Sequence, residues 1–156
     1  MARTFEHQKI LDLARYGTVP VINGLTNFNH PCQILADLYT MVEEWGDIAG
    51  RKVTYLGDGN NVAHSLLFGC AKMGVHLTLA CPGGYRPDED VFRYAVETGK
   101  ASGATIAIEE DPGQAVEGAD VLYTDVWVSM GDEEERERRL RDLVPYRVNT
   151  SLLAKA

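Results

Sequence analysis

The sequence lacks any apolar run long enough to cross a lipid bilayer, since no stretch approaches the ~20 residues that a membrane-spanning helix requires. Basic residues are also in the minority: 15 Lys and Arg stand against 23 Asp and Glu, which gives a net charge of −8. A nucleic-acid-binding surface needs a basic stripe, and attraction to an anionic membrane needs basic residues too. We therefore expect neither nucleic acid nor a membrane as a partner. An anionic small molecule is not excluded, because a local site can oppose the global charge.

Paired cysteines are lacking as well. The three cysteines, Cys32, Cys70 and Cys81, are odd in number, widely spaced and without a C-x-x-C pair. This pattern favours a reducing, intracellular compartment. The N-terminal segment MARTFEHQKI contains no apolar core of the signal-peptide kind. We therefore expect a cytoplasmic location, or the mitochondrial matrix if the source is eukaryotic.

Signatures of metal, cofactor and hydrolase chemistry are absent from the sequence. The four histidines show no H-x-x-x-H or Cys/His ligand spacing, so no metal site is predicted. Gly57 and Gly59 begin a G-x-G-x-x-G pattern, but Val62 occupies the place of the third glycine, and the next strand does not end in a carboxylate. Neither a G-x-S-x-G elbow nor a P-loop lysine occurs. We expect no cofactor.

The chain does contain a regular alternation of short apolar strands and amphipathic helices over its 156 residues. The predicted strands lie in VPVING, RKVTYLGD, VHLTLAC, ATIAIEE and DVLYTDVW, and no hairpin signal separates them. Such alternation is typical of a parallel sheet covered by helices on both faces. We therefore predict a single domain over residues 1–156. Its expected fold is α/β, a doubly wound, Rossmann-like parallel sheet of about five strands, with KVTYL near the centre.

One predicted helix begins in an unusual way, within NFNHPCQ. Pro31 suits the first helical position, which leaves His30 at or next to the N-cap, and Gln33 follows on the same face. A helix N-terminus carries free N–H groups and a positive dipole end. Histidine and glutamine there match a small planar group with a carbonyl and an amide, such as a carbamoyl group. The alternative, a locally bonded histidine at a helix start, remains open.

Two further polar clusters follow predicted strands, GDGNN after KVTYL and DVWVSMG in and after the last strand. Ligands of open parallel sheets bind at the carboxyl ends of the strands, so these clusters and NFNHPCQ are predicted to face one crevice. Asp125 at that edge would suit a substrate ammonium, although an N-cap or turn role is an equal alternative. Asn60 and Asn61 would either contact a ligand or only cap a helix. The later run GDEEERERRLRDL is interpreted as a solvated helix face with i,i+4 ion pairs, including Glu135 with Arg139.

These motifs resemble those of the ornithine carbamoyltransferases, specifically of their second, ornithine-binding domain. The segments RTFEHQ, VPVINGLTNFNHPCQILADL, GDGNN, GADVLYTDVWVSMG and YRVN are similar to that family in the same order. HPCQ is shared by carbamoyltransferases generally, whereas DVWVSMG points to ornithine as the acceptor. The resemblance implies transfer of a carbamoyl group from carbamoyl phosphate to L-ornithine, which yields L-citrulline and phosphate in arginine biosynthesis.

The resemblance also assigns residues to ligands. By motif match, Arg3, His30 and Gln33 would bind carbamoyl phosphate. The ornithine-binding residues implied in the same way are Asn61, Asp125, Ser129 and Met130. The family implies neither a metal nor a cofactor.

Two family features have no counterpart in the sequence, the S-x-R-T-R phosphate-binding loop and the H-C-L-P loop. The chain is therefore expected to be a truncated or excised domain, inactive in isolation and prone to self-association through an uncovered apolar face. A non-catalytic α/β module that keeps the ligand residues, either a designed fold or a subunit docking another chain, is the alternative. The sequence does not separate the two.

Overall fold

The computed structural model describes residues 1–128 and 133–156. The strands are β1 (Ala2–Arg3), β2 (Asn23–Leu25), β3 (Lys52–Leu56), β4 (His76–Ala80), β5 (Ile106–Glu109) and β6 (Val121–Thr124). The helices are α1 (His7–Tyr16), α2 (Pro31–Trp45), α3 (Asn61–Met73), α4 (Glu89–Ser102), α5 (Pro112–Ala115), α6 (Arg136–Leu143) and α7 (Thr150–Leu153). Three short 3-10 turns lie at Gly83–Tyr85, Glu133–Glu135 and Val144–Tyr146.

The main sheet has four parallel strands in the order β5-β4-β3-β6. Tyr55 of β3 lies between Leu79 of β4 and Tyr123 of β6, so KVTYL is an inner strand as predicted. Every connection between these strands contains a helix, as parallel neighbours require. The predicted α/β fold with a parallel sheet is confirmed.

The strand predicted in VPVING starts later in the sequence than predicted and does not join the main sheet. It begins at Asn23, after Val19–Ile22, and it pairs with β1 in a separate two-stranded parallel sheet. The main sheet therefore has four strands where about five were predicted. Val19 and Ile22 are 70% and 58% exposed, so their apolar character does not place them in the core.

Two apolar clusters cover the opposite faces of the main sheet. One joins inward residues of β3 and β4, such as Val53 and Leu77, to α2, α3 and α4. The other joins Leu56 and Ala80 to the segment from α5 to α7, through Val116 and other buried residues. Successive strand residues point to opposite faces, which explains how Tyr55 and Leu56 enter different clusters. Because helices cover both faces of the sheet, the carboxyl ends of its strands are the place where a cavity can form.

A membrane-spanning helix is not found in the described part of the chain, where every helix is too short or too polar to cross a bilayer.

Candidate functional site

A cavity of about 530 Å³ lies at the carboxyl end of β3 and β6. It brings together residues from distant parts of the chain, including β1, the β2–α2 loop, the start of α2, the turn after β3, the segment after β6, and α6. Five residues predicted from the sequence line it, namely Arg3, His30, Gln33, Asn61 and Asp125. They are separated by as many as 122 positions of sequence, and the fold brings them to one edge.

The two other predicted residues, Ser129 and Met130, lie outside the described residues. Their assignment to ornithine stays a prediction.

The turn after β3 has a backbone that only glycine fits. Gly57 has φ of +141°, in the range that L side chains rarely adopt. At Gly59 an added Cβ would lie 2.2 Å from the backbone nitrogen of Pro87. These two glycines allow the turn to pass close to the segment before α4. The turn then delivers Asp58, Asn60 and Asn61 to the cavity wall.

The two asparagines of this turn have different roles. Asn60 caps α3, because its side-chain oxygen accepts from the backbone N–H groups of Val62 and Ala63. Asn61 is the first residue of the helix, and its side-chain amide donates to the carbonyl oxygen of Thr26 over 2.7 Å. Residue type and position left the same alternatives for both asparagines, although the family resemblance assigned only Asn61 to a ligand. The contacts show that Asn60 is the cap and that Asn61 links α3 to the β2–α2 loop.

His30 is the N-cap residue of α2, as predicted, but its side chain makes no capping hydrogen bond. Its backbone N–H donates to Ser65 Oγ over 2.7 Å. Its Nδ1 atom is buried and has no hydrogen-bond partner in the described part of the protein.

The electrostatic surroundings of His30 favour the neutral imidazole. Burial lowers its pKa from the ordinary 6.5, and the nearby Arg3 cation lowers it further. The carboxylates of Asp125 and Asp37 act in the opposite direction, but less strongly. A neutral ring at physiological pH keeps one N–H that can donate to an oxygen and carries no charge of its own.

Gln33 forms a contact along its own helix. Its side-chain amide donates to Asp37 Oδ1 over 2.9 Å. Asp37 also lies near Tyr123. Burial is the main cause that raises the pKa of the Tyr123 phenol, and the negative charge of Asp37 raises it further. Gln33 is thereby oriented at the cavity edge by the carboxylate one turn further along α2.

Arg139 is a cavity residue that the sequence interpretation missed. Its predicted pairing with Glu135 is confirmed, at 3.4 Å, but Arg139 is only 12% exposed and also pairs with Asp58 over 2.5 Å. Its guanidinium lies 5.4 Å from the ring centre of Tyr85. No local signal predicts this pairing, since Asp58 lies 81 residues away.

His64 is a second residue that the sequence interpretation undervalued. Its Nδ1 lies 2.8 Å from the carbonyl oxygen of Phe28, and its Nε2 accepts from the backbone N–H of Asp88 over 3.1 Å. An Nε2 that accepts requires the proton on Nδ1, which then donates to Phe28. His64 therefore joins α3 to the β2–α2 loop and to the start of α4.

The cavity has both signs of charge on its walls. Arg3 supplies a cation near His30, whereas Asp125 supplies a carboxylate on the segment after β6. No cluster of three potential metal ligands occurs within residues 1–128 and 133–156. This arrangement suits a small polar ligand pair, with an anionic group near Arg3 and a cationic group near Asp125.

Comparison with known proteins gives two family matches. Residues 49–156 match the model described as the aspartate/ornithine carbamoyltransferase Asp/Orn binding domain. Residues 1–43 match the one described as the carbamoyl-P binding domain of the same proteins. The second match covers β1, α1, β2 and most of α2, the part of the chain that carries the separate two-stranded sheet. The assignment of all 156 residues to one ornithine-binding-type domain remains a prediction.

Individual relatives agree with these matches. The chain is 51% identical over its whole length to an ornithine carbamoyltransferase of Anoxybacillus flavithermus and to an anabolic one of Pyrococcus furiosus, covering 50% of each. A solved structure of the ornithine carbamoyltransferase from Pyrococcus furiosus superimposes with a TM-score of 0.95 at 51% identity, over 100% of this chain and 50% of that one. The chain thus spans about half the length of the curated relatives it matches.

Proposed function

Because the chain belongs to the aspartate/ornithine carbamoyltransferase family, we propose that it supplies the ornithine-binding part of an ornithine carbamoyltransferase. In that reaction the side-chain amine of L-ornithine attacks the carbonyl carbon of carbamoyl phosphate. The bond from that carbon to the phosphate oxygen breaks, phosphate leaves, and the amine nitrogen loses a proton, which gives L-citrulline. The observation that carries the proposal is the placement of Arg3, His30 and Asp125 around one cavity.

The ornithine end of the site is assigned to Asp125 and Asn61, together with the predicted Ser129 and Met130. A carboxylate at Asp125 attracts the ammonium groups of ornithine and repels the side-chain carboxylate of aspartate, which supports ornithine as the acceptor. The amide of Asn61 carries two N–H groups, and Thr26 takes one of them. The second N–H is left for the carboxylate of ornithine.

The carbamoyl phosphate end is assigned to Arg3, His30 and Gln33. The Arg3 cation suits a phosphate oxygen. A neutral His30 can donate to the carbonyl oxygen as negative charge develops on it, and Gln33 can bind the planar amide. Catalysis would depend on bringing the two substrates together and on stabilising that oxyanion.

An ornithine titration followed by NMR tests the proposal on the 156-residue chain. Exposed ion pairs contribute only ~0–1 kcal/mol each, so we expect binding no tighter than roughly millimolar. Shifts should cluster at Asn61 and around Asp125, and Asp125→Asn should abolish them. Asp12→Asn, on α1 and outside the cavity, is the matched control and should leave them unchanged. L-Aspartate should give no such cluster.

A citrulline assay addresses the expected inactivity of the chain by itself. Loss of one oxyanion donor alone can cost ~10²–10³ in rate, and half of the relatives' length is not represented. We expect no citrulline above background with both substrates present. Turnover that follows the purified chain and disappears in His30→Ala would contradict this expectation.

The alternative is a non-catalytic α/β module, and the titration separates the two. Such a module predicts no ornithine shifts near Asp125 at millimolar ligand, with or without carbamoyl phosphate. The anabolic name of the Pyrococcus furiosus relative supports arginine biosynthesis as the pathway of the proposed reaction.

A further inference from the structure

Asn60 is connected to two different parts of the site through the two ends of its side-chain amide. The oxygen accepts from the backbone N–H of Val62 over 3.0 Å and from that of Ala63 over 3.2 Å. The nitrogen donates to Asp125 Oδ2 over 3.1 Å. Asn60 and Asp125 both line the cavity.

The orientation of this amide is fixed by its oxygen end. Two N–H donors point at the oxygen, and the hydroxyl of Tyr55 lies 3.4 Å from it while donating to the Asp58 carbonyl. A flipped amide would turn its NH₂ group toward two N–H donors and lose both capping bonds. The NH₂ group must therefore face Asp125.

The carboxylate of Asp125 has few polar contacts within the described residues. Asp125 follows the last residue of β6 and lies outside regular secondary structure. Among the described residues, the bond from Asn60 is the one hydrogen bond that its carboxylate accepts. Loss of that donor would leave the Asp125 carboxylate without a hydrogen bond from the described residues.

We propose that Asn60 is a positioning residue, which uses the capped start of α3 as a fixed point and holds the carboxylate of Asp125 in place at the cavity. The ligand that benefits, ornithine, rests on the proposed function. The positioning itself does not, because the bond from Asn60 to Asp125 is formed between two residues of the protein. A hydrogen bond to a charged acceptor is among the stronger ones in proteins, so its loss should affect both order and affinity.

Asn60→Ser separates the two roles of the side chain. Serine is as good an N-cap residue as asparagine, so α3 keeps its cap, but serine is too short to donate to Asp125. Asn149→Ser is the matched control, because Asn149 caps α7 through the N–H groups of Ser151 and Leu152. Amide hydrogen exchange along α3 should be the same in wild type and Asn60→Ser, which checks that the helix start is intact.

The first measurement is made without ligand on the 156-residue chain. Three-bond NMR couplings report the rotamer of Asp125. We expect one dominant rotamer in the wild type and in Asn149→Ser, and averaging over several in Asn60→Ser. A single unchanged rotamer in Asn60→Ser overturns the proposal.

The second measurement is ornithine affinity at neutral pH. We expect Asn60→Ser to weaken binding roughly tenfold and Asn149→Ser to leave it unchanged. Equal affinity of Asn60→Ser and wild type also overturns the proposal. If the wild type does not bind ornithine, the proposed function fails, while the rotamer measurement still decides the role of Asn60.

Discussion

At the residue scale, His64 makes the stability of the fold depend on pH. Burial lowers the pKa of its imidazole below the ordinary 6.5, against weaker opposing effects of the Phe28 carbonyl and two aspartates. Below pH 6.5 the unfolded chain therefore binds a proton that the folded chain does not. The stabilising contribution of the neutral ring is complete above pH 6.5 and is lost as the pH falls toward the lowered value.

We expect the free energy of unfolding to decrease between pH 7.5 and pH 5, as measured by urea denaturation. His64→Asn should reduce the slope of that decrease, because asparagine does not titrate. His30→Asn should reduce it further, since burial also lowers the pKa of His30. An identical slope in wild type and His64→Asn would show that His64 is not a source of the pH dependence.

Arg139 gives a second residue-scale prediction. Its ion pair with Asp58 is almost buried, with 12% and 14% of the two side chains exposed. Removing one partner leaves a poorly solvated charge, so Arg139→Ala should lower the free energy of unfolding by about 2 kcal/mol or more.

The adjacent Arg138 is the matched control for that substitution. Its pair with Glu135 is exposed, at 57% and 45%, so Arg138→Ala should cost about 0–1 kcal/mol. Denaturant unfolding of the two variants under one set of conditions makes the comparison. Equal losses in both would mean that burial of the Asp58 pair has no energetic consequence.

At the element scale, the turn between β3 and α3 depends on the close approach of Gly59 to the backbone before α4. A Cβ at Gly59 would lie 2.2 Å from Pro87 N and 2.6 Å from the carbonyl carbon of Arg86. Gly59→Ala must displace one backbone or the other, which should cost about 1–3 kcal/mol. Gly84→Ala is the control, since a Cβ there meets nothing within 4 Å. Thermal unfolding should separate the two variants, and equal melting temperatures would contradict the argument.

Most element positions were predictable because their signals are local. The helix that starts within NFNHPCQ begins at Pro31, and the one that starts at the end of GDGNN begins at Asn61, with Asn60 as its cap. The strand in VPVING shows where local signals fail. Its alternation predicts extended backbone, but the choice between the main sheet and a pairing with β1 depends on residues 20 or more positions away.

At the scale of the whole molecule, α2 has an apolar face that stays exposed. Leu35, Tyr39 and Val42 recur at i, i+4 and i+7 and are 66%, 63% and 37% exposed. We expect the chain to self-associate at high concentration. Sedimentation velocity should show a concentration-dependent shift in mass.

A double variant tests whether that face of α2 is responsible. Leu35→Gln with Tyr39→Gln should abolish the shift in mass without a change in fold. Val144→Gln, at a residue that is 57% exposed and lies in the segment covering the other face of the sheet, is the control and should still associate. A wild type that stays monomeric at all concentrations would refute the expectation.

The sequence by itself determined the parallel α/β fold, the inner position of KVTYL and the helix starts at the site, and it predicted that NFNHPCQ, GDGNN and Asp125 face one edge, whereas Arg3 was assigned only by the family resemblance. The fold and the helix starts follow from hydrophobic period and capping residues, which operate over a few residues. The shared edge follows from the rule that ligand loops come after parallel strands. The tertiary structure alone decided which partners the polar groups choose. Asn60 and Asn61 are neighbours in sequence, yet one holds Asp125 and the other Thr26. Arg139 pairs with the distant Asp58 as well as with Glu135 near its own helix. Such pairings depend on which distant segments the packed sheet brings within hydrogen-bond reach.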